Sequence, residues 1–375
     1  MLKRRDVLRL GATGAFGLAL TNVGKAMAGA TGPNASSPPT ADAELDRLTT
    51  AGLRALPPLQ PADSVSRSGQ TKRFTLALAA ATVEPLPKHR VPVHAVNGAS
   101  PGPILRASEG DELEITVVNR LPKATSIHWH GIPIPFTMDG SGSFSQQAIR
   151  PDETFVYRFV APQAGTYMYH SHLHELEFAS VSGMFIVDPQ VDGREPRYAS
   201  DIPIFIGSIP WEKARTAEAQ AILADGMLMT DMAAKPGADP LPGIGDSMDR
   251  MDMVEYWCFN GKTFPATQPI AVRSGDLVRV RFGNLTNMAH PIHLHGHWFR
   301  VIAQDGSPLD RPQIMNTVPV QPGQTIDIDF LANNPGVWPL HCHIIAHMVD
   351  NHDVMSGLMT VVQYDGFGLP AMMQG

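Results

Sequence analysis

GDELEITVVNRLPKATSIHWHG at residues 110–131 and GDLVRVRFGNLTNMAHPIHLHG at residues 275–296 are two versions of one pattern, 165 residues apart. Each opens on a Gly-Asp step, runs through an alternating apolar stretch to an Asn (Asn119, Asn284), and ends in His-x-His-Gly. Leu113 to Val118 and Leu277 to Phe282 alternate as half-buried strands do. Further along, His170-Ser171-His172 matches His341-Cys342-His343 at an offset of 171, and Ser182 to Val187 matches Ser356 to Val361 at 174. Internal repetition on this scale means two copies of one structural unit. A unit of roughly 115–125 residues, built of short strands with turns between them, has the size of one Greek-key β-sandwich.

Composition agrees with an all-β chain of two such sandwiches. The 375 residues include 33 Gly and 33 Pro, which punctuate Val/Ile/Thr/Phe segments, and 43% are apolar, enough for a core in each unit. The net charge of -7 leaves no basic stripe for phosphates and argues against nucleic acid as a partner. Residues 1–28 read as an export signal of the twin-arginine type, with Arg4 and Arg5 ahead of an apolar run and Ala26-Met27-Ala28 as a cleavage site. The mature protein would then be periplasmic or secreted, with no membrane span. A Pro/Ser/Ala-rich leader covers 29–68, the first sandwich 69–190, a Met-rich connector 191–250 and the second sandwich 251–375. Within the connector, Ile202 to Ile206 could pair as a strand.

Four His-rich elements carry the chemistry: His128-Trp129-His130, His170-Ser171-His172, His290-Pro291-Ile292-His293-Leu294-His295, and His341-Cys342-His343 followed by His347. On a strand, residues i and i+2 share a face, so each His-x-His presents two imidazoles together and turns its middle residue away. Cys342 is such a middle residue, and its thiolate would face a second metal across the strand. Of the two cysteines, Cys258 reads as a small buried apolar residue, and no disulfide is expected.

These motifs resemble those of the multicopper oxidases, in particular small two-domain, laccase-like members, and the resemblance covers nearly everything after residue 70. It implies two cupredoxin-like domains and four coppers per subunit. By resemblance, His290, Cys342 and His347 are the type 1 copper ligands, with Met355 as weak axial ligand and His352 as its rival. His128 and His293 are type 2 ligands. His130, His170 and His343 serve one type 3 copper, and His172, His295 and His341 the other. The type 1 positions map in the first half onto Thr125, Ser171, Leu176 and Val181, which make no copper set. His174, His297 and His352 read as supporting or surface residues.

The resemblance further implies one-electron oxidation of a phenolic or metal-ion reductant, coupled to four-electron reduction of dioxygen to water. Asp139 matches the family's acid near the cluster; its plainer reading is a turn residue before Gly140. A second acid of some relatives is Met348 here, with Asp350 or Asp353 as substitutes. A homotrimer with clusters between subunits is also implied. Met227, Met229, Met232, Met248, Met251 and Met253 allow an alternative, a cuprous oxidase, against plain packing by those side chains. A copper nitrite reductase and a non-enzymatic copper-binding protein fit less well, because both His-x-His pairs and Cys342 are present.

Overall fold

The computed structural model describes residues 68–142, 144–172, 181–190, 196–210, 255–348 and 356–368. The stretch read as an export signal, nearly all of that read as a leader, the six methionines at 227–253, His174, Leu176, Asp350, His352, Asp353 and Met355 lie outside them. Eight strands form a first sandwich: β1 (Thr71–Leu86), β2 (His89–Val96), β3 (Leu105–Ser108), β4 (Glu112–Asn119), β5 (Ile127–His130), β6 (Thr154–Val160), β7 (Gly165–Ser171) and β8 (Ser182–Asp188). They make two sheets, ordered β2-β1-β4-β6 and β3-β8-β7-β5. In β4 the burial alternates residue by residue, as its sequence requires, and Leu113, Ile115 and Val117 enter the core. Each such side chain contributes about 1.5–3 kcal/mol by leaving water.

The second sandwich comprises β9 (Ser200–Pro210), β10 (Glu255–Phe259), β11 (Ile270–Val272), β12 (Leu277–Asn284), β13 (His290–Leu294), β14 (Phe299–Gln304), β15 (Ser307–Met315), β16 (Thr317–Val320), β17 (Thr325–Leu331), β18 (Val337–Cys342) and β19 (Met359–Tyr364). Its sheets run β10-β9-β12-β17-β14-β15 and β11-β19-β18-β13-β16. The repeat holds at the level of pairing. β1 is parallel to β4 as β9 is to β12, and β3 is parallel to β8 as β11 is to β19. β9 falls in the stretch read from sequence as connector, yet it is the counterpart of β1, with β10 as its antiparallel partner. The chain between residues 210 and 255 therefore joins two paired strands of one sandwich. β14 and β15 have no counterpart strand among the described residues of the first half, and the β13–β16 pairing is reduced there to a single bridge between Thr125 and Ile149.

β12 departs from simple alternation. Arg279 and Arg281, on the face turned away from its own core, are only 4% and 2% exposed, because the first sandwich covers them. Arg281 donates to Asp201, to Asp327 and to the Thr166 hydroxyl of β7, while Arg106 of β3 also reaches Asp201. Burial alone would raise Asp201, but hydrogen bonds from Arg281 and Arg279 outweigh it and hold the carboxyl well below its usual range. Asp327 is pushed up by burial, against the pull of Arg281. Backbones also meet directly: a Cβ added at Gly165 would lie 2.4 Å from the Gly306 carbonyl oxygen. The β1–β2 hairpin extends this contact, packing Val91 and Val93 with Ile209 and Cys258.

Candidate metal centre

Strand pairing assembles the imidazoles. His128 on β5 is the cross-strand partner of His170 on β7, and His293 on β13 is the partner of His341 on β18. Each His-x-His pair puts both rings on one face, while Trp129 turns into the first core and Leu294 into the second. In the first sandwich the His128 ring centroid lies 5.7, 5.4 and 5.3 Å from those of His130, His170 and His172. In the second, His293 lies 4.7, 5.7 and 5.7 Å from His295, His341 and His343.

The outer ring nitrogens are anchored alike in both copies. His128 Nδ1 is 2.8 Å from the Asp139 carbonyl and His293 Nδ1 is 2.7 Å from that of Asn316, so each can donate there. His170 Nδ1 and His341 Nδ1 each approach the carbonyl of the next residue, at 2.8 and 2.7 Å. With Nδ1 protonated, Nε2 keeps its lone pair for a metal. Nitrogens of different rings then face each other at 3.2 Å between His130 and His170 and at 2.9 Å between His295 and His341. Burial lowers the basicity of His130, His170, His295 and His341, His170 to about 3, so these rings are neutral at ordinary pH.

A different set forms on the core side of β18. The Cys342 thiol lies 3.7 Å from Nδ1 of both His290 and His347, and those two nitrogens are 3.1 Å apart. All three side chains are buried. His290 comes from the start of β13 and turns Nε2 to the Thr286 hydroxyl at 2.7 Å; Thr286 in turn donates to Asn284, the repeated Asn of the sequence pattern. His347 stands on a one-turn 3₁₀ helix, Ile345–His347. Burial lowers His290 to about 3 and raises the Cys342 thiol to about 11, the Ile344 amide opposing the latter only partly. Two imidazoles and a buried thiol converging on one point suit a soft cation, which would stabilise the thiolate; the donor set fits copper. At the corresponding place in the first sandwich, Thr125 and Ser171 share a hydroxyl–hydroxyl hydrogen bond of 2.9 Å, and Val181 is buried beside them.

Asp139 follows a one-turn 3₁₀ helix, Phe136–Met138, and its Oδ1 lies 3.5 Å from His128 Nδ1. Gly140 makes this possible: at φ 77 a Cβ there would stand 1.7 Å from the Ile127 carbonyl oxygen. His297 has both nitrogens engaged, with the His295 carbonyl at 3.0 Å and the Tyr364 hydroxyl at 2.6 Å, and supports the site without facing it. Cys258 is buried, and neither cysteine forms a disulfide. Thr286 and Trp257 were not legible beforehand. Trp257 packs against His347 and carries no spacing signal, whereas Thr286, two residues after a repeated Asn, could have been sought.

Two family models, both of multicopper oxidase domains, match residues 77–192 and 240–364. The chain is 33% identical to Laccase-19 of Oryza sativa subsp. japonica over 261 residues, covering 68% of this chain and 40% of that protein. It is 29% identical to Copper resistance protein A of Escherichia coli, covering 70% of this chain and 47% of that one. It thus spans under half the length of both curated relatives. A blue copper oxidase from Nitrosomonas europaea matches in structure with a TM-score of 0.65 at 28% identity, over 81% of this chain and 93% of the other. With two matched domains, this fold and these donor sets, the chain belongs to the multicopper oxidase family.

Proposed function

We propose that the protein is a laccase-like oxidase that takes single electrons from phenolic or other aromatic reductants and passes four of them to dioxygen, giving water. His290, Cys342 and His347 would hold the type 1 copper, with Met355, matched by the family resemblance, as a further weak ligand. His128 and His293 hold type 2 copper, and His130, His170, His343, His172, His295 and His341 the type 3 pair. Copper so bound supplies one-electron redox chemistry at the first set and a seat for dioxygen at the second. Cys342 joins the two sets through its own backbone, since His341 and His343 are its chain neighbours on the opposite face of the strand. Asp139, whose Oδ1 lies beside His128, would relay protons toward the cluster.

The observation that carries this reading is the buried thiol flanked by two ring nitrogens, back to back with the His341/His343 pair. Cys342→Ser tests it. The copper-loaded protein is expected to show a blue thiolate-to-copper band that vanishes in the variant while the His-bound coppers remain. A blue band unaltered by the substitution would refute the assignment.

The subunits are proposed to form a ring of three, with domain one of one chain completing the cluster with domain two of the next, a heterologous contact closed by rotation. The two His quartets sit on different sandwiches. Exposed apolar side chains follow both in sequence, Phe136 and Phe144 after the first pair, Trp298 and Ile345 after the second, and subunit contact would bury them. A fully active monomer by sedimentation would contradict the ring. Export by a twin-arginine route to the periplasm or beyond is supported by residues 3–28 and suits a metal-loaded cargo. Among the described residues no helix is long and apolar enough to cross a membrane.

A second reading, cuprous-ion oxidase, is supported by the six methionines between β9 and β10 and by the likeness to a copper resistance protein. Replacing all six by Leu should lower cuprous oxidation and spare phenol oxidation; equal cuprous rates would remove this reading.

A further inference from the structure

We infer that Trp257 is a positioning residue of the thiolate site, holding the His347 ring and setting the electronic environment of the metal bound there. The inference rests on the reading of His290, Cys342 and His347 as one donor set. Trp257 lies in the middle of β10, 4% exposed, and its ring centroid is 4.2 Å from that of His347 with the planes 32° apart. The same indole meets His290 edge-on at 5.1 Å. One side chain therefore touches both imidazoles of the set and, among the described residues, makes no ring contact with the imidazoles of the two quartets. Its N–H finds no acceptor among the described residues, so what the indole offers here is its ring face.

His347 needs such a support. It stands on a single 3₁₀ turn after the end of β18, with no side-chain cap, whereas His290 is fixed by strand pairing and by Thr286. The Leu358 amide holds the His347 carbonyl but not its ring, whereas an aromatic face packed on an imidazole restrains the ring's orientation and excludes water from that side. Ring orientation governs how well the Nδ1 lone pair points at the metal, and water exclusion governs how the oxidised and reduced charges are stabilised.

The test uses the full-length copper-loaded protein and two variants, Trp257→Leu and Trp257→Phe. The Leu variant is expected to shift the blue band and the type 1 reduction potential, and to release that copper to a cuprous chelator roughly tenfold faster, the scale of one aromatic contact. The Phe variant, which restores a ring face, is expected to recover most of all three. A Leu variant matching the unsubstituted protein in band, potential and release would overturn the proposal, as would a Phe variant no better than Leu. Should the Leu variant fail to fold, indole fluorescence decides: the emission lost in Trp257→Phe should be the part that copper loading quenches, and unquenched Trp257 emission would overturn the proposal. An unsubstituted protein with no blue band would instead overturn the donor-set reading itself.

Discussion

At matching places in the two sandwiches, Thr125 and Ser171 satisfy each other through a hydroxyl–hydroxyl hydrogen bond, whereas His290 and Cys342 stand with His347 around a shared point. The backbone frame is the same, with a strand pair on one side and an apolar core on the other. What differs is whether the polar atoms close on themselves or are left converging. A hydroxyl can donate and accept, so two suffice to finish the first site. Two imidazoles and a thiol raised by burial have lone pairs pointing inward and few protons to share, and that is the condition of a ligand set awaiting a cation. The contrast extends to β4 and β12. The outward positions of β4 remain partly exposed, while those of β12 are sealed by the other sandwich.

The strongest test of that contrast is Arg281→Ala against Thr116→Ala, which occupy the same repeat position. Arg281 is buried with Asp201 and Asp327; its removal takes from the buried Asp327 its hydrogen-bonded arginine, while Asp201 keeps Arg279 and Arg106, and should cost about 3–5 kcal/mol. Thr116, half-buried on β4, should change stability by about 0.5 kcal/mol or less. Urea denaturation measures both; comparable losses would show that β12 is no more committed to the interface than β4.

Asp139 and Asn316 allow a catalytic version of the comparison, since each lends a backbone carbonyl to one His but only Asp139 has a carboxylate. Asp139→Asn should keep the copper content and lower oxygen consumption by about a hundredfold at saturating reductant. Asn316→Ala should stay near the original rate, because its carbonyl remains. Unchanged turnover in the Asp139 variant would take that residue out of the mechanism.

Gly165→Ala ranks next. Its Cβ would meet backbone rather than a side chain, so the sandwiches must part, and a loss of about 1–3 kcal/mol is expected by thermal or urea unfolding. Gly275→Ala, where open space surrounds the added Cβ, is strained only by its φ of 95 and reports the backbone effect alone.

The smallest effect is a pH dependence. Asp201, held low by its arginines, contributes stability that is whole above the ordinary Asp value of about 3.9 and disappears as pH falls through its depressed value. Asp327, raised by burial, has the opposite sign: the folded chain takes up that proton first, so stability gains as pH falls from its raised value toward the ordinary range. Denaturation midpoints followed from neutral pH downward should therefore hold or rise slightly before the acid limb. Arg279→Gln, which removes one partner of Asp201, should move that limb to higher pH; an unmoved limb would mean Asp201 does not set it.

Much of this was legible in the sequence because strand geometry is local. Two-residue spacing places His128 with His130 and Cys342 opposite its neighbours without any knowledge of the fold, and the repeat supplied the pairing of halves. Other features depend on contacts between distant segments. Arg279 and Arg281 look like the solvent face of a strand until another sandwich covers them. β9 reads as connector because the length and composition after residue 210 hide its return partner. Trp257 lies far from every His motif in sequence, and only the packing of one sheet on the other, around a shared core, brings β10 opposite the end of β18. The axial position, at Met355 or His352, lies outside the described residues and stays with the family resemblance.

Pro210 and Glu255 are ladder partners at the end of the β9–β10 pair, so the residues between them connect two neighbouring points of the ladder. Closing such a loop depends only weakly on its length, each doubling costing about 0.6 kcal/mol. The site is therefore a natural port for protein engineering. A two-residue turn, a reporter domain or a foreign metal-binding peptide could be spliced there while both strands keep their register, and Trp257, two residues beyond Glu255, would put any such graft on the doorstep of the thiolate site.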